Sequence, residues 1–407
     1  MSILSIEKNS IASLALNCVK NTYAQMSRID LQLTLEVYQI CIFNPVIRIF
    51  IREKGGSAHV MSADTHQGGL FYPWLPKGLY SFEFLWPVSL PQGQYELCVA
   101  WGTVDDIKAP DHVALFTIVD GAADVTPLLG TWKLCTATEK AINSLSWQRG
   151  MDNWFHRHFC HAAVVIAETF LDKSPLLRGR ILDIGAGDGI TDLGLFLRYQ
   201  PEELVAMDIV DYTAQLPRVA QDNNLPLEAL PDGLTFIHKS CESIPYDDES
   251  FDLIISWGSV EHIKGGYEKT LDEVWRVLKP GGIFFVNPGL YYSEFGSHLG
   301  EFSDISHLHL KASESELKNL VMNTAPEAMD RSGFDATNED YWRFYKELNR
   351  IRVSSFEQEI KKYGYEIIRA AVRVNDLVNY TPELQKYSII DLAIEDVFFT
   401  LSKPAVL

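Results

Sequence analysis

The spacing of apolar and polar residues divides the chain into two parts with different periods. In residues 1–120 the segments "IASLALNCV", "LQLTLEVYQI", "VIRIFIRE", "LYSFEFLW", "QYELCVAWG" and "HVALFTIV" tend to alternate apolar and polar positions. A period of two sends successive side chains to opposite faces, so each segment reads as a short β-strand. Turn formers separate them at Gly55-Gly56, Pro76 to Gly78 and Pro91 to Gly93. Short strands at this spacing, with no helical period between them, predict a β-sandwich. Beyond residue 160 the pattern changes. Apolar runs in "RILDIG", "ELVAMDI", "LTFIHK", "FDLIISWG" and "GIFFVNPG" alternate with helical stretches, which predicts a parallel α/β sheet. Before the fifth run, Leu271, Val274, Trp275 and Leu278 recur at helical spacing, and Pro280-Gly281-Gly282 ends the helix and turns the chain into the strand. Two later strands, "YEIIRAAVRV" and "DVFFTLSKP", complete a seven-stranded, mostly parallel sheet. Residues 121–150 show neither period and read as a linker passing into a helix. The expected organisation is a sandwich over 1–120, a linker over 121–150 and an α/β domain over 151–407.

Length supports two units, because single cores rarely grow far beyond ~250–300 residues and this chain has 407. Hydrophobic residues make up 47% and charged residues 22%, a globular balance. The net charge of −19 is unevenly shared: residues 1–120 hold 8 Lys+Arg against 11 Asp+Glu, and the remainder 27 against 43. An acidic protein lacks the basic footprint that phosphate backbones require, so a nucleic-acid partner is not expected. The six cysteines, Cys18, Cys41, Cys98, Cys135, Cys160 and Cys241, form no C-x-x-C pair, which argues against a zinc framework and fits a reducing cytoplasm. The N-terminus has no signal-peptide pattern, and no window has the ~18 apolar residues of a membrane span.

The chemistry concentrates in "ILDIGAGDG", residues 181–189, which follows a strand and precedes a helix. Gly185, Gly187 and Gly189 allow a tight turn close to a ligand, and the helix N-terminus offers free N–H groups. A dinucleotide fingerprint requires G-x-G-x-x-G, whereas Ile190 occupies the next position here and the spacing is G-x-G-x-G. With Asp183 the stretch becomes D-x-G-x-G-x-G, which resembles the first motif of class I S-adenosylmethionine-dependent methyltransferases, with Rossmann-like sheets. Three further features support the resemblance in order. Asp208 ends the second strand, 25 residues after Asp183, where a carboxylate accepts ribose hydroxyls. "SCESIPYDDESFDLIISWGSVEHI" resembles the stretch that cradles adenine, with Ser240 in place of the usual Asp and Cys241 and Glu242 following; "LKPGG" closes the set at 278–282. The resemblance implies S-adenosylmethionine as cofactor, held by Asp183, Gly185, Ala186, Gly187, Gly189, Asp208, Ile209, Ser240, Cys241, Glu242, Ser256 and Trp257.

The sulfonium methyl is already activated, so transfer to oxygen needs orientation and a base for the acceptor hydroxyl. Three segments should border the crevice beyond the strand ends: "SWGSVEHI", "NPGLYYSEFGSHLGEFSDISHLHL" and the helix "NWFHRHFCHAAVV". Candidate bases are His262, His298 and His307, ahead of His309; of His156, His158 and His161 only the last two share a helix face. Tyr291 and Tyr292 read as sugar-packing or core residues. Glu261-His262 matches the Glu-His that some ubiquinone-pathway O-methyltransferases place near magnesium, but their acidic residue three positions earlier is Gly258 here. No metal is therefore expected.

In the first domain, "PVIRIFI", "KGLYSFEF", "LPQGQYEL" and "DHVALFTIVDG" resemble the carbohydrate-binding β-sandwich of O-antigen polysaccharide ABC exporters. That likeness implies glycan binding, with Tyr72, Trp74 and Trp86 as candidates for stacking on sugars; the alternative is a sandwich used for dimerisation. Together the two halves lead to the expectation of a cytoplasmic methyltransferase for a sugar hydroxyl of a surface polysaccharide, such as a lipopolysaccharide, or its precursor, docked peripherally to export machinery. Two alternatives stand beside it: a small-metabolite methyltransferase with a dimerising sandwich, and an inactive glycan-binding assembly protein.

Overall fold

A computed structural model of the chain describes residues 4–8, 12–17, 22–25, 27–67, 72, 74–88, 90–103, 111–120, 131–136, 154–211, 214–326, 336–375 and 377–405. Two compact units emerge, Met1–Gly150 with Ala220–Leu227, and Met151–Val219 with Glu228–Leu407.

The first unit holds β1 (Leu4–Lys8), β2 (Ala12–Asn17), β3 (Thr22–Ala24), β4 (Ser27–Phe43), β5 (Pro45–Glu53), β6 (His59–Asp64), β7 (Trp74–Val88), β8 (Gly93–Thr103), β9 (Asp111–Val119) and β10 (Thr131–Thr136). They form two five-stranded sheets, ordered β1-β2-β4-β7-β10 and β3-β9-β8-β5-β6. One apolar core draws on both: Leu31, Leu33 and Leu35 of β4 and Phe82 and Phe84 of β7 cluster with Ile47, Ile49 and Ile51 of β5 and Leu97 and Val99 of β8. Alternate residues along each strand enter that core, which is why the period of two was visible in the sequence. Residues 131–136, read as part of a linker, instead pair antiparallel with β7. "TWKLCT" is rich in β-branched and aromatic residues, but it is too short for its alternation to stand out. Tyr72, Trp74 and Trp86 are buried at 6%, 0% and 3% exposure, so they fill the interior and do not present faces to a sugar.

The second unit contains β11 (Arg180–Ile184), β12 (Glu203–Asp208), β13 (Leu234–His238), β14 (Phe251–Trp257), β15 (Leu278–Asn287), β16 (Glu366–Val374) and β17 (Ile394–Ser402). The sheet order is β13-β12-β11-β14-β15-β17-β16, a Rossmann-like arrangement. Pairing is parallel from β13 to β15 and antiparallel through β17 and β16. Leu182, Val205, Ile254, Phe284 and Val286 are buried, as expected of parallel strands covered on both faces. Helix Glu268–Val277 buries Leu271, Val274 and Val277. It ends before the Pro-Gly-Gly, which lies inside β15 as an irregularity in its pairing with β14 rather than as a turn between elements. Residues 154–170 are helical with π-type turns at Arg157–Ala162 and Val165–Phe170. Among the described residues no helix is long and apolar enough to cross a membrane.

Candidate functional site

The chain leaves β11 in one direction toward β12 and β13 and later returns to β11's other side with β14. At such a reversal the loops diverge and open a crevice beyond the carboxyl ends of the strands. Here the crevice is a cavity of 860 Å³, within the range of about 300–1,000 Å³ for small-molecule sites. The loop after β11 forms one wall. Gly185, Gly187 and Gly189 all have positive φ, at 77°, 57° and 74°. The Gly185 and Ala186 amides donate to Met207 O at 2.8 and 3.1 Å, pinning the loop to β12. A Cβ on Gly187 would meet nothing within 4 Å, so the backbone there is open to a ligand.

The carboxylate of Asp208 accepts from Gly187 N at 3.0 Å and from Val210 N at 2.9 Å, which fixes it beside the glycine loop. Asp183 lines the cavity and is buried beside Asp192. Six carboxylates line the cavity, from Asp183, Asp188, Glu261, Glu294, Glu395 and Asp396, against one guanidinium, Arg373, among the described residues. An open glycine backbone and this negative field fit a cofactor that carries a sulfonium and an ammonium group.

Of the cofactor residues expected from the sequence, Asp183, Gly185, Ala186, Gly187 and Trp257 line the cavity, whereas Gly189, Asp208, Ile209, Ser240, Cys241, Glu242 and Ser256 do not. Gly189 starts the helix Ile190–Tyr199 against the Phe236 ring, where a Cβ would come within 2.4 Å. Ile209 is 73% exposed, and Ser240 and Glu242 are exposed and bonded to each other. The Cys241 thiol bonds Thr270 Oγ1 at 3.3 Å and is pushed up by burial. Ser256 is fully buried; its hydroxyl meets that of Ser259, which donates to Ile184 O, so it ties β14 to β11.

Asp183 and Asp192, from the helix that follows the loop, are both buried. Desolvation raises both carboxyls, Asp192 well above the usual range, because two adjacent carboxyls without water cannot both ionise. The pair keeps a proton that separate, solvated carboxyls would lose. A raised folded pKa means that the unfolded chain loses this proton first as pH climbs past about 4, so the pair's contribution to stability falls as pH rises from there. Asp192→Asn keeps a donor next to Asp183 and removes the ionisation. Thermal melts should show the variant more stable at pH 8 by about 1–2 kcal/mol, with the difference disappearing near pH 4.

The histidines separate by burial. His262 and His298 line the cavity, with side chains 36% and 40% exposed. His307, an expected base, does not. It is fully buried, its Nε2 bonds Leu392 O at 3.0 Å and its Nδ1 bonds Ser306 Oγ at 2.8 Å, so both ring nitrogens are committed to structure. His309 is likewise buried, bonded to Tyr291 O, and burial lowers its pKa to about 4. Tyr291 packs in the interior with Leu310, Leu384 and Leu392, and Tyr292 packs against it. On the helix, His156 is buried, with its pKa lowered to about 4 by desolvation, and His161 is exposed. Only His158 reaches the cavity, beneath Trp154, whose Nε1 donates to Asp188 Oδ2 at 2.6 Å.

Sequence reasoning missed the wall from the antiparallel end of the sheet: Arg373, Asn375, Glu395 and Asp396. Asn375 Nδ2 donates to Glu294 Oε2 at 2.5 Å, Glu294 N donates to Glu395 Oε1 at 3.2 Å, and burial raises the Glu395 carboxyl. No local pattern marks these residues, because they reach the cavity only through the pairing of β15 with β17.

Comparison with known proteins agrees with the loop geometry. Residues 182–286 match the family model described as "Methyltransferase domain". The chain is 31% identical over 120 residues to 2-methyl-6-phytyl-1,4-hydroquinone methyltransferase 2, chloroplastic, of Oryza sativa subsp. japonica, covering 28% of this chain and 32% of that protein. It is 29% identical over 157 residues to a probable phthiotriol/phenolphthiotriol dimycocerosates methyltransferase 2 of Mycobacterium ulcerans (strain Agy99), covering 37% and 56%. It is 35% identical over 136 residues to the uncharacterized methyltransferase YcgJ of Bacillus subtilis (strain 168), covering 32% and 50%. The chain thus spans from about a third to just over half the length of these relatives. Residues 182–286 are thus similar to a methyltransferase domain, and the cofactor that this match supports is S-adenosylmethionine.

Proposed function

We propose that the protein transfers a methyl group from S-adenosylmethionine to a hydroxyl oxygen of a polyhydroxylated acceptor, a sugar of a surface polysaccharide or of its precursor. One observation carries this reading: a single cavity joins the glycine loop to a wall of hydrogen-bonding side chains, Glu294, Asn375, Glu395 and Arg373. Sugar hydroxyls donate to carboxylates and accept from amides and guanidinium groups, and Phe295, 43% exposed at the same wall, offers a face for a ring. When bound, the cofactor would supply an activated methyl on a sulfonium, which would leave as a neutral thioether when the acceptor oxygen takes the methyl and the hydroxyl proton is lost. The protein's own part is placement. Asp183 and Asp188 favour the cationic ligand, the loop backbone holds it, and Glu261, His262 and His298 border the same cavity.

The relatives' names point to hydroquinone and lipid acceptors. Incubation of the full-length protein with methyl-labelled cofactor and separate fractions of envelope glycans, nucleotide sugars, small metabolites and quinol lipids distinguishes these. Label in the glycan or nucleotide-sugar fraction is the expected result. Label confined to metabolites or quinol lipids overturns the acceptor class. No label anywhere, together with no heat on titration with S-adenosylhomocysteine, overturns the enzyme reading. In the same scheme the N-terminal sandwich holds glycan, and failure of the full chain to be retained on immobilised envelope polysaccharide would leave it a dimerisation module.

A further inference from the structure

The absence of an acid at Gly258 argued against a metal, yet the fold supplies a different third donor. Glu261 and His262 follow β14, and His298 arrives from the loop after β15, 36 residues further along the chain. Their ligand atoms lie within 4.8 Å of one another. Glu261 Oε1 is 3.8 Å from His262 Nε2 and 3.8 Å from His298 Nε2, too far for hydrogen bonds but close for groups that share an ion.

The rest of the site holds this carboxylate in place. Glu261 is 2% exposed, and its other oxygen accepts from Gly289 N at 2.9 Å, so Oε1 is left toward the imidazoles. Gly289 has no room for a side chain there, since a Cβ would fall 2.4 Å from Oε1. The Glu261 carbonyl accepts from Asn349 N at 2.8 Å, and the Asn349 side chain bonds Val260 O and Ile263 O, clamping the turn. The two imidazole rings stand nearly perpendicular, at 87°, with centroids 4.7 Å apart, so they converge at their edges and do not stack. His298 adopts φ 57°, an unfavourable left-handed conformation for a non-glycine residue and one that recurs at functional sites.

We propose that Glu261, His262 and His298 bind a divalent first-row transition ion in the wall of the methyl-transfer cavity. One carboxylate with two imidazoles is a donor set suited to manganese, iron, cobalt or zinc more than to magnesium, which prefers oxygen ligands. Donors around one such ion at ~2.1 Å sit about 3.0–3.4 Å apart, so small rotations of the two part-exposed histidines close the set. Three protein ligands leave positions open toward the cavity, as in catalytic metal sites. An acceptor with two adjacent oxygens can occupy them, its hydroxyl proton passing to water as the ion stabilises the alkoxide. This substrate class rests on the methyl-transfer reading above; the metal site itself does not.

The test is titration of chelator-treated, full-length protein with MnCl2, followed by calorimetry and electron paramagnetic resonance, in parallel with S-adenosylhomocysteine titration. One Mn2+ per chain is expected, with affinity reduced at least about tenfold in Glu261→Gln and in His298→Ala and unchanged in His161→Ala, whose histidine is exposed outside the cavity. Circular-dichroism melts identify any variant that fails to fold, and His298→Gln then replaces His298→Ala. Absence of stoichiometric Mn2+ binding, or equal affinity in Glu261→Gln, overturns the site. S-adenosylhomocysteine binding without Mn2+ binding overturns the metal site alone; Mn2+ binding without S-adenosylhomocysteine binding overturns the methyl-transfer reading alone.

Discussion

Gly185→Ala is expected to weaken S-adenosylhomocysteine binding at least a hundredfold while the protein remains folded. Two effects add. Gly185 has φ 77°, where an alanine costs roughly 1–2 kcal/mol. A Cβ there would also lie 2.2 Å from the Cβ of Ser259. Ser259 cannot readily retreat, because its hydroxyl donates to Ile184 O and meets Ser256 Oγ, both at 2.7 Å. The loops after β11 and β14 must therefore separate, and these are the walls of the cofactor crevice. At about 1.4 kcal/mol per factor of ten, strain and clash together exceed two decades. Gly187→Ala is the control. It has a similar φ but an open surrounding, so strain alone predicts a loss of about tenfold, and a larger loss means that the cofactor covers that backbone. Calorimetric titration with melts on the same samples checks both.

His298→Ala and His307→Ala should fail in opposite ways. His298 is part-exposed in the cavity wall, so its removal should lower kcat by about 10²-fold or more while leaving melting temperature and S-adenosylhomocysteine affinity near wild type. His307→Ala opens a void and leaves Leu392 O without its donor, a loss of about 2–4 kcal/mol. Its activity loss should follow unfolding and recover at low temperature. pH separates them further. Burial lowers the folded pKa of His307, so the unfolded chain takes up a proton first as pH falls below ~6.5 and stability declines from there. His156 and His309, both lowered to about 4, contribute in the same direction down to that pH. His307→Ala should flatten the acid limb of the stability curve, whereas His298→Ala is read from kcat. A melting loss in His298→Ala equal to that in His307→Ala would remove His298 from the chemistry.

The segment "GSHLGEFSDISHLHL" shows why histidines are hard to place from sequence. Its place after a strand reads as a loop bordering the crevice, in which His298 and His307 rank ahead of His309 as bases. In the fold, Leu299, Phe302 and Leu310 are buried and draw His307 and His309 inside with them, while the turn at Gly296, where a Cβ would collide with Leu290 O, leaves His298 at the cavity. Tyr72, Trp74 and Trp86 give the same lesson in the sandwich, because an aromatic ring suits a core and a sugar equally well.

The sequence by itself determined the main strands of both units and the position of the glycine loop. Side-chain periods of two and of 3.6 are properties of the local backbone, and positive φ at a tight turn selects glycine wherever the turn lies. Tertiary structure alone decided which polar groups share the cavity. His298 joins Glu261 and His262, and Arg373, Asn375 and Glu395 face the glycine loop, because β14, β15, β17 and β16 lie side by side and end their loops at one edge. Strand order is a non-local outcome of packing, so residues more than 100 positions apart converge without any mark of it in the chain between them.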